Sequence, residues 1–196
     1  MVIFFQIVIG IGLAATCGFR AFVPLFAMSL AGVSGVMEFA SGFEWIGTYP
    51  ALIVFGIATV VEIVAYFVPF VDNVLNAITL PFSIIAGVII VASVITDIDP
   101  VIRWSLALIA GGGVATGTGL ISNAIHLAST MTSGGTANPA VSTVETGATG
   151  VMAALSIIFP VVSLVLIILI IFFVVRYLKR KKVRPQPFSR ARAGHS

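Results

Sequence analysis

Charge is what this chain has least of. Only 9% of its 196 residues are Asp, Glu, Lys or Arg, against roughly 25% in an average soluble domain. So few charges cannot coat the surface of a soluble fold of this length. An apolar content of 59% excludes a disordered chain. Cysteine is nearly absent: Cys17 alone leaves no internal disulfide and no multi-cysteine metal site. Basic residues are scarce in the body, where Arg20 and Arg103 alone precede Arg176. Without a basic face, nucleic acid is not expected as a partner. The period-two alternation of a β-barrel is missing as well. The remaining fold class is all-α: a polytopic membrane helix bundle with membrane lipids around it.

The net charge of +3 hides an asymmetry, because seven of the ten basic residues follow residue 178. All seven acids precede them: Glu38, Glu44, Glu62, Asp72, Asp97, Asp99 and Glu145. This divides the chain into a single transmembrane domain, 1–178, and a basic tail, 179–196, with Pro185 and Pro187 favouring disorder. The positive-inside bias puts the tail in the cytoplasm. Its basic residues serve as a topology anchor, or bind anionic lipid at about 1 kcal/mol each. The N-terminus has no basic n-region and is expected to stay attached.

A bilayer core of about 30 Å takes some 20 helical residues. Five apolar stretches are visible: 2–32, 46–68, 74–95, 101 to about 128, and about 148–177. The first is too long for one span and carries Gly18, Arg20 and Pro24, so it reads as broken or re-entrant. Pro160 interrupts the last. Trp45, Tyr49, Trp104 and Tyr177 fall near span ends, as an interfacial aromatic belt requires.

The first and fourth stretches align. Gly12-Leu-Ala-Ala-Thr-Cys-Gly18-Phe-Arg-Ala21 pairs with Gly113-Val-Ala-Thr-Gly-Thr-Gly119-Leu-Ile-Ser122. Copies crossing in opposite directions form an inverted repeat, an arrangement common in transporters. Small-residue faces that let helices approach closely produce the same pattern.

Charges at bilayer depth cost about 2.5–3.5 kcal/mol each on insertion scales. Arg20 must therefore meet a partner, a watery cavity or an anionic ligand. Glu62, inside the second span, either pairs with Arg20 or is held neutral by its apolar surroundings. Asp72 suits a helix N-cap. Asn138-Pro139 can start a helix with Ser142 and Glu145 near one face. That segment reads as a short re-entrant helix or as an external loop with a capped helix start. Asp97, Asp99 and Arg103 are expected to cap and anchor the fourth helix. His126 reads as a lone structural hydrogen-bonder, because no second His or Cys offers metal spacing. The expected path residues are Arg20, Glu62, Asp72, Asn138, Ser142 and Glu145, with no metal or cofactor.

Gly18-Phe-Arg20-Ala-Phe, Phe43-Glu-Trp45-Ile-Gly, Val61-Glu62, Pro69 and Val71-Asp72 together resemble an uncharacterised bacterial multi-pass membrane family, domain-of-unknown-function family 4126. The glycine-rich fourth stretch and Asn138-Pro139…Ser142…Glu145 are similar to it too. The resemblance covers residues 10 to 160 and implies a bacterial inner-membrane protein without naming an activity. Ile121 stands where the repeat would place a second Arg20. Over its short motif alone, Gly18–Pro24 is similar to the arginine-bearing re-entrant motif of lipid-carrier phosphate transporters of the DedA type. That similarity implies an anionic head group as one ligand for Arg20.

The residues point first to a small transporter or channel with Arg20 and Glu62 at its site. The alternative is a non-transporting scaffold or assembly partner whose charges are structural. An enzyme is not expected, since no Gly-x-Ser-x-Gly, His-Glu-x-x-His or paired-Asp motif is present. Small faces such as Gly113/Gly117 suit a homo-oligomer.

Overall fold

The computed structural model describes residues 1–67 and 71–182. Among them every regular element is helical, with no strand. Helix α1 (Val2–Cys17) and α2 (Phe22–Val33) divide the first apolar stretch, and a 3-10 turn (Glu44–Gly47) leads into α3 (Tyr49–Tyr66). Then come α4 (Val71–Val94), α5 (Pro100–Leu106), a π-helical segment (Ala107–Gly112) and α6 (Gly113–Ser133). The chain closes with α7 (Asn138–Ile158) and α8 (Pro160–Lys182).

Among the described residues, three elements are long and apolar enough to cross a membrane: Tyr49–Tyr66, the continuous rod Pro100–Ser133, and Asn138–Ile158. The rod of 34 residues is about 50 Å long at 1.5 Å per residue, well over a hydrocarbon core. Asp99 starts it, its carboxylate accepting the Val101 N–H at 2.8 Å, and Pro100 occupies the first turn, where a missing N–H costs nothing. Gly134 ends it in the left-handed conformation at φ 62°, which glycine adopts without a Cβ penalty.

The structure moves two boundaries. The stretch expected at 148–177 is two helices, because Pro160 starts α8 rather than kinking a single rod, and Phe159 at φ −131° ψ 70° breaks the geometry before it. Asn138–Glu145 is neither a loop nor a short re-entrant helix. It opens the full-length α7, with Pro139 in the first turn. Helix α8 also runs through Lys182, into the segment expected as a tail; residues 183–196 lie outside the described residues.

Helix α1 is the hub, packing against α4, α6, α7 and α8. Its second half is buried from Gly12 through Cys17. Leu13, Cys17, Ala21, Leu25 and Met28 join Ile90 and Val94 of α4 and Ala153 of α7 in the main core. Small residues allow the approach. A Cβ on Gly18 would collide with Thr118 Oγ1, the Gly119 N–H and the Ala115 carbonyl. Gly87 of α4 and Gly111 of the π segment meet backbone to backbone in the same way. Elsewhere apolar side chains point outward. On α3, Ile53, Val54, Ile57, Val60, Val61 and Val64 are exposed, while Thr59, Glu62 and Tyr66 are buried. This inversion suits a helix with lipid outside and polar chemistry within. Trp45, Tyr49 and Trp104 are exposed near helix starts; the Tyr177 side chain lies outside the described residues.

Gly18→Ala should lower stability by about 1–3 kcal/mol, the usual cost of overpacking. Gly117→Ala, with nothing within 4 Å of its new methyl, should raise it by up to about 1 kcal/mol, the helix-propensity gain of alanine over glycine. Reversible unfolding in mixed micelles measures both.

Candidate functional site

The site begins with the break in the first apolar stretch. At Gly18 the helix tightens, and Phe19 and Arg20 both turn their N–H groups to the Thr16 carbonyl at 3.1 Å. Helix α2 then starts without a side-chain cap of its own. Its first N–H groups are met from across the bundle. Glu62 of α3 accepts from the Ala21 N–H at 2.8 Å and the Phe22 N–H at 3.1 Å, one to each carboxylate oxygen. A carboxylate at a helix N-terminus satisfies orphan donors and opposes the positive end of the dipole. Of the two readings of Glu62, direct pairing with Arg20 is not observed: Glu62 lies within electrostatic reach of Arg20, but its oxygens are engaged by α2.

Arg20 instead reaches α7. Its side chain is completely buried. Nε donates to Thr146 Oγ1 at 3.0 Å, Nη2 to the Ser142 carbonyl at 3.2 Å, and Nη1 to the Phe19 carbonyl at 3.4 Å. Nη2 also lies 3.9 Å from Glu145 Oε2. The guanidinium carbon sits 3.6 Å from the centre of the Tyr66 ring, at cation–π distance. Tyr66 donates its hydroxyl hydrogen bond to Thr79 Oγ1 at 3.1 Å.

Glu145 is the junction. Oε1 accepts from Ser122 Oγ at 2.8 Å, and Oε2 lies 2.8 Å from His126 Nε2. Both partners are on α6, one turn apart, so one helix face presents both to α7. The His126 ring also lies 5.9 Å from the Tyr66 ring. Helix α7 carries a polar stripe inward: Asn138, Ser142, Glu145, Thr149 and Ser156 are buried at helical spacing. Asn138 Nδ2 donates to Thr130 Oγ1 at 3.0 Å, nearer the α6–α7 turn than the charge cluster. Ser142 contributes its carbonyl to Arg20, while its hydroxyl has no hydrogen-bond partner among the described residues.

Of the expected path residues, then, Arg20, Ser142 and Glu145 touch, and Glu62 stands beside them through α2. Asn138 is buried on the same helix face, toward the α6–α7 turn. The Asp72 side chain lies outside the described residues. Sequence reasoning missed Tyr66; it read His126 as a structural hydrogen-bonder, and His126 bonds Glu145, a partner the sequence did not name. A signal was present. Thr59-x-Val-Glu62-x-x-Ala-Tyr66 on α3 matches Ser142-x-Val-Glu145-x-x-Ala-Thr149 on α7, and in both helices the hydroxyl, the carboxylate and the last residue are buried.

Two clefts reach this region. One, of about 230 Å³, runs between α1, α6, α7 and α8 and is lined by Thr16, Phe19, Ile121, Glu145 and Met152 among others. The other, of about 520 Å³, lies between α2, α3 and α4 and is lined by Ala21, Phe22, Ile57, Glu62 and Phe82 among others. Their walls are almost wholly apolar, and each contains one carboxylate. Arg20 lines neither.

Apolar outward faces, buried ionisable groups and spans of membrane length define a helical membrane protein. The chain matches the family described as Domain of unknown function (DUF4126) over residues 7–180 and belongs to that family. No curated protein and no solved structure matches it.

Tyr66→Phe should cost about 1 kcal/mol, one hydrogen bond, because the ring over Arg20 remains. Tyr66→Ala should cost about 3–5 kcal/mol, because packing and the cation–π contact go together. Unfolding of the two variants in micelles reads the difference.

Proposed function

We propose that the chain is a small transporter or channel, for a small solute, an ion or an anionic lipid head group. Its path would pass the cluster where α1 gives way to α2. The pair of clefts carries this reading. Each holds a carboxylate in its wall, Glu145 in one and Glu62 in the other. Residues of a single break line both, Phe19 on one side and Ala21 on the other, with Arg20 between them in the chain. Ionised groups at bilayer depth are costly and concentrate on substrate and ion pathways. Non-helical backbone at that depth belongs where protein or a cavity meets it.

An inverted repeat is part of the same reading. The aligned glycines Gly18 and Gly119 lie against one another: a Cβ on Gly119 would come within 3.7 Å of the Gly18 Cα. Glu62 accepts from Ala21 and Glu145 from Ser122, and residues 21 and 122 are equivalent in the alignment. Counterparts that touch are expected next to a two-fold axis, where transporter sites sit. We place the protein in the bacterial inner membrane with its C-terminus cytoplasmic, the basic tail against anionic lipid, and copies associated through small-residue faces.

One observation favours the scaffold reading. Arg20 spends its donors on Thr146, the Ser142 carbonyl and its own turn, away from both clefts. A buried cation held in this way can simply fasten α7 to the break.

The two readings separate in liposomes loaded for flux of protons, potassium, chloride and inorganic phosphate. Transport predicts that Glu62→Gln and Glu145→Gln, folded, reduce flux of whichever probe the wild type carries by about tenfold or more. The scaffold predicts no specific flux. It predicts poor folded yield for Arg20→Ala and partial recovery in the swapped pair Arg20→Glu/Glu145→Arg. Folded carboxamide variants conducting like wild type would falsify the site assignment.

A further inference from the structure

Of the two clefts, the one between α2, α3 and α4 is the larger. Its 520 Å³ falls within the range of about 300–1,000 Å³ that small-molecule sites occupy. Its mouth lies on the outward face of the bundle, where Ile57, Val61, Ile78 and Phe82 line it and are each at least half exposed. Lipid tails, as apolar as these side chains, cover such a face. A ligand that enters there comes from the bilayer and must itself be largely apolar.

Among the described residues of the wall, only Glu62 and Thr79 carry polar side chains. Thr79 Oγ1 is bonded to the Tyr66 hydroxyl. Glu62 takes one backbone N–H on each oxygen. A carboxylate has about four acceptor sites, so about half of its capacity remains. Ala58 and Ala65 stand one turn to either side of Glu62 on α3 and also line the cleft; longer side chains there would fill it. The rings of Phe22 and Phe82 complete the wall, and an aromatic face attracts a cation.

We propose that this cleft binds a hydrophobic organic monocation, its charge against Glu62 and its apolar body between α2, α3 and α4. The inference rests on the transport reading and narrows its solute. An anion would meet a carboxylate. A metal ion needs about four to eight donor atoms, and the described wall offers one carboxylate and one hydroxyl. A neutral hydrocarbon would fill the space but leave the spare acceptor sites of Glu62 unmet, which is costly in apolar surroundings. A bulky organic cation buries apolar surface and meets the carboxylate together. Arg20 spends its donors on α7 and its own turn and lines no part of this cleft.

Equilibrium binding to the full chain in nanodiscs, measured against empty discs, tests this with two probes of one shape and opposite sign, tetraphenylphosphonium and tetraphenylborate. Wild type should bind the phosphonium saturably and not the borate. Glu62→Gln, folded, should weaken phosphonium binding about tenfold or more, as loss of one partner of a desolvated charge pair does. Ala58→Leu keeps the carboxylate and fills the cleft, so it should weaken binding too, and it decides should Glu62→Gln fail to fold. Absence of saturable binding overturns the proposal. So does equal binding of the two probes, the behaviour of a groove for lipid chains. Wild-type affinity in folded Glu62→Gln or in Ala58→Leu also overturns it. Loss in Ala148→Leu, in the wall of the other cleft, without loss in Ala58→Leu overturns the placement. Phosphonium binding without flux of any probe in liposomes keeps this site and removes transport. Flux of an inorganic ion without phosphonium binding keeps transport and removes this ligand.

Discussion

A guanidinium that cannot lose its proton, sealed from solvent inside an apolar bundle, is the constraint from which the rest of this structure follows. Arg20 is fully buried, and an arginine stays charged at any physiological pH. It must find acceptors, and the helix that carries it cannot provide enough, because an unbroken helix uses its own carbonyls. The break at Gly18–Ala21 and the polar stripe of α7 answer that need together. The break swings Arg20 sideways out of α1, and α7 presents Thr146, the Ser142 carbonyl and Glu145 where it arrives. Breaking the helix creates a second need, since the first N–H groups of α2 lose their partners. Glu62 on α3 satisfies these. One buried cation thus recruits two carboxylates from two different helices, and with them the packing of α2 and α7 around α1.

Much of the scaffold was legible because the bilayer imposes a length and an apolar composition on whatever crosses it. The second and third stretches appear at nearly their expected bounds as α3 and α4. The break in the first was visible because Gly18 and Arg20 are both poor residues for the middle of a span. A helix start at Asn138-Pro139 is among the sequence readings of that segment, but its continuation as a full span, α7, through Ile158 was not legible, and the reason is physical. Its first turns carry Asn138, Ser142, Thr143, Glu145 and Thr146, a composition that reads as a loop in water. Inside a bundle the same residues form a buried polar face, and only the tertiary partner, Arg20, distinguishes the two.

The sequence leaves the partner of Arg20 open, with Glu62 either its partner or held neutral by apolar surroundings. Glu62 lies on the next span, whereas Glu145 lies 125 positions away, and nothing in composition prefers the distant one. The match between Thr59-x-Val-Glu62-x-x-Ala and Ser142-x-Val-Glu145-x-x-Ala would have ranked them as equals. His126 reads as a structural hydrogen-bonder, and it is one; its partner, the carboxylate of Glu145, could not be named from the sequence.

The two carboxylates are not used alike, and the difference lies in the donors that reach them. Glu62 accepts two backbone N–H groups at the start of α2, whereas Glu145 meets side chains, Ser122 and His126 of α6, with Arg20 at 3.9 Å. In the aligned glycine-rich stretches the first carries Arg20, while the second carries Ile121 at the equivalent position, a residue that lines a cleft instead of filling it with charge. Glu145 therefore ties α7 to α6 and to the break that carries Arg20 through the same carboxylate.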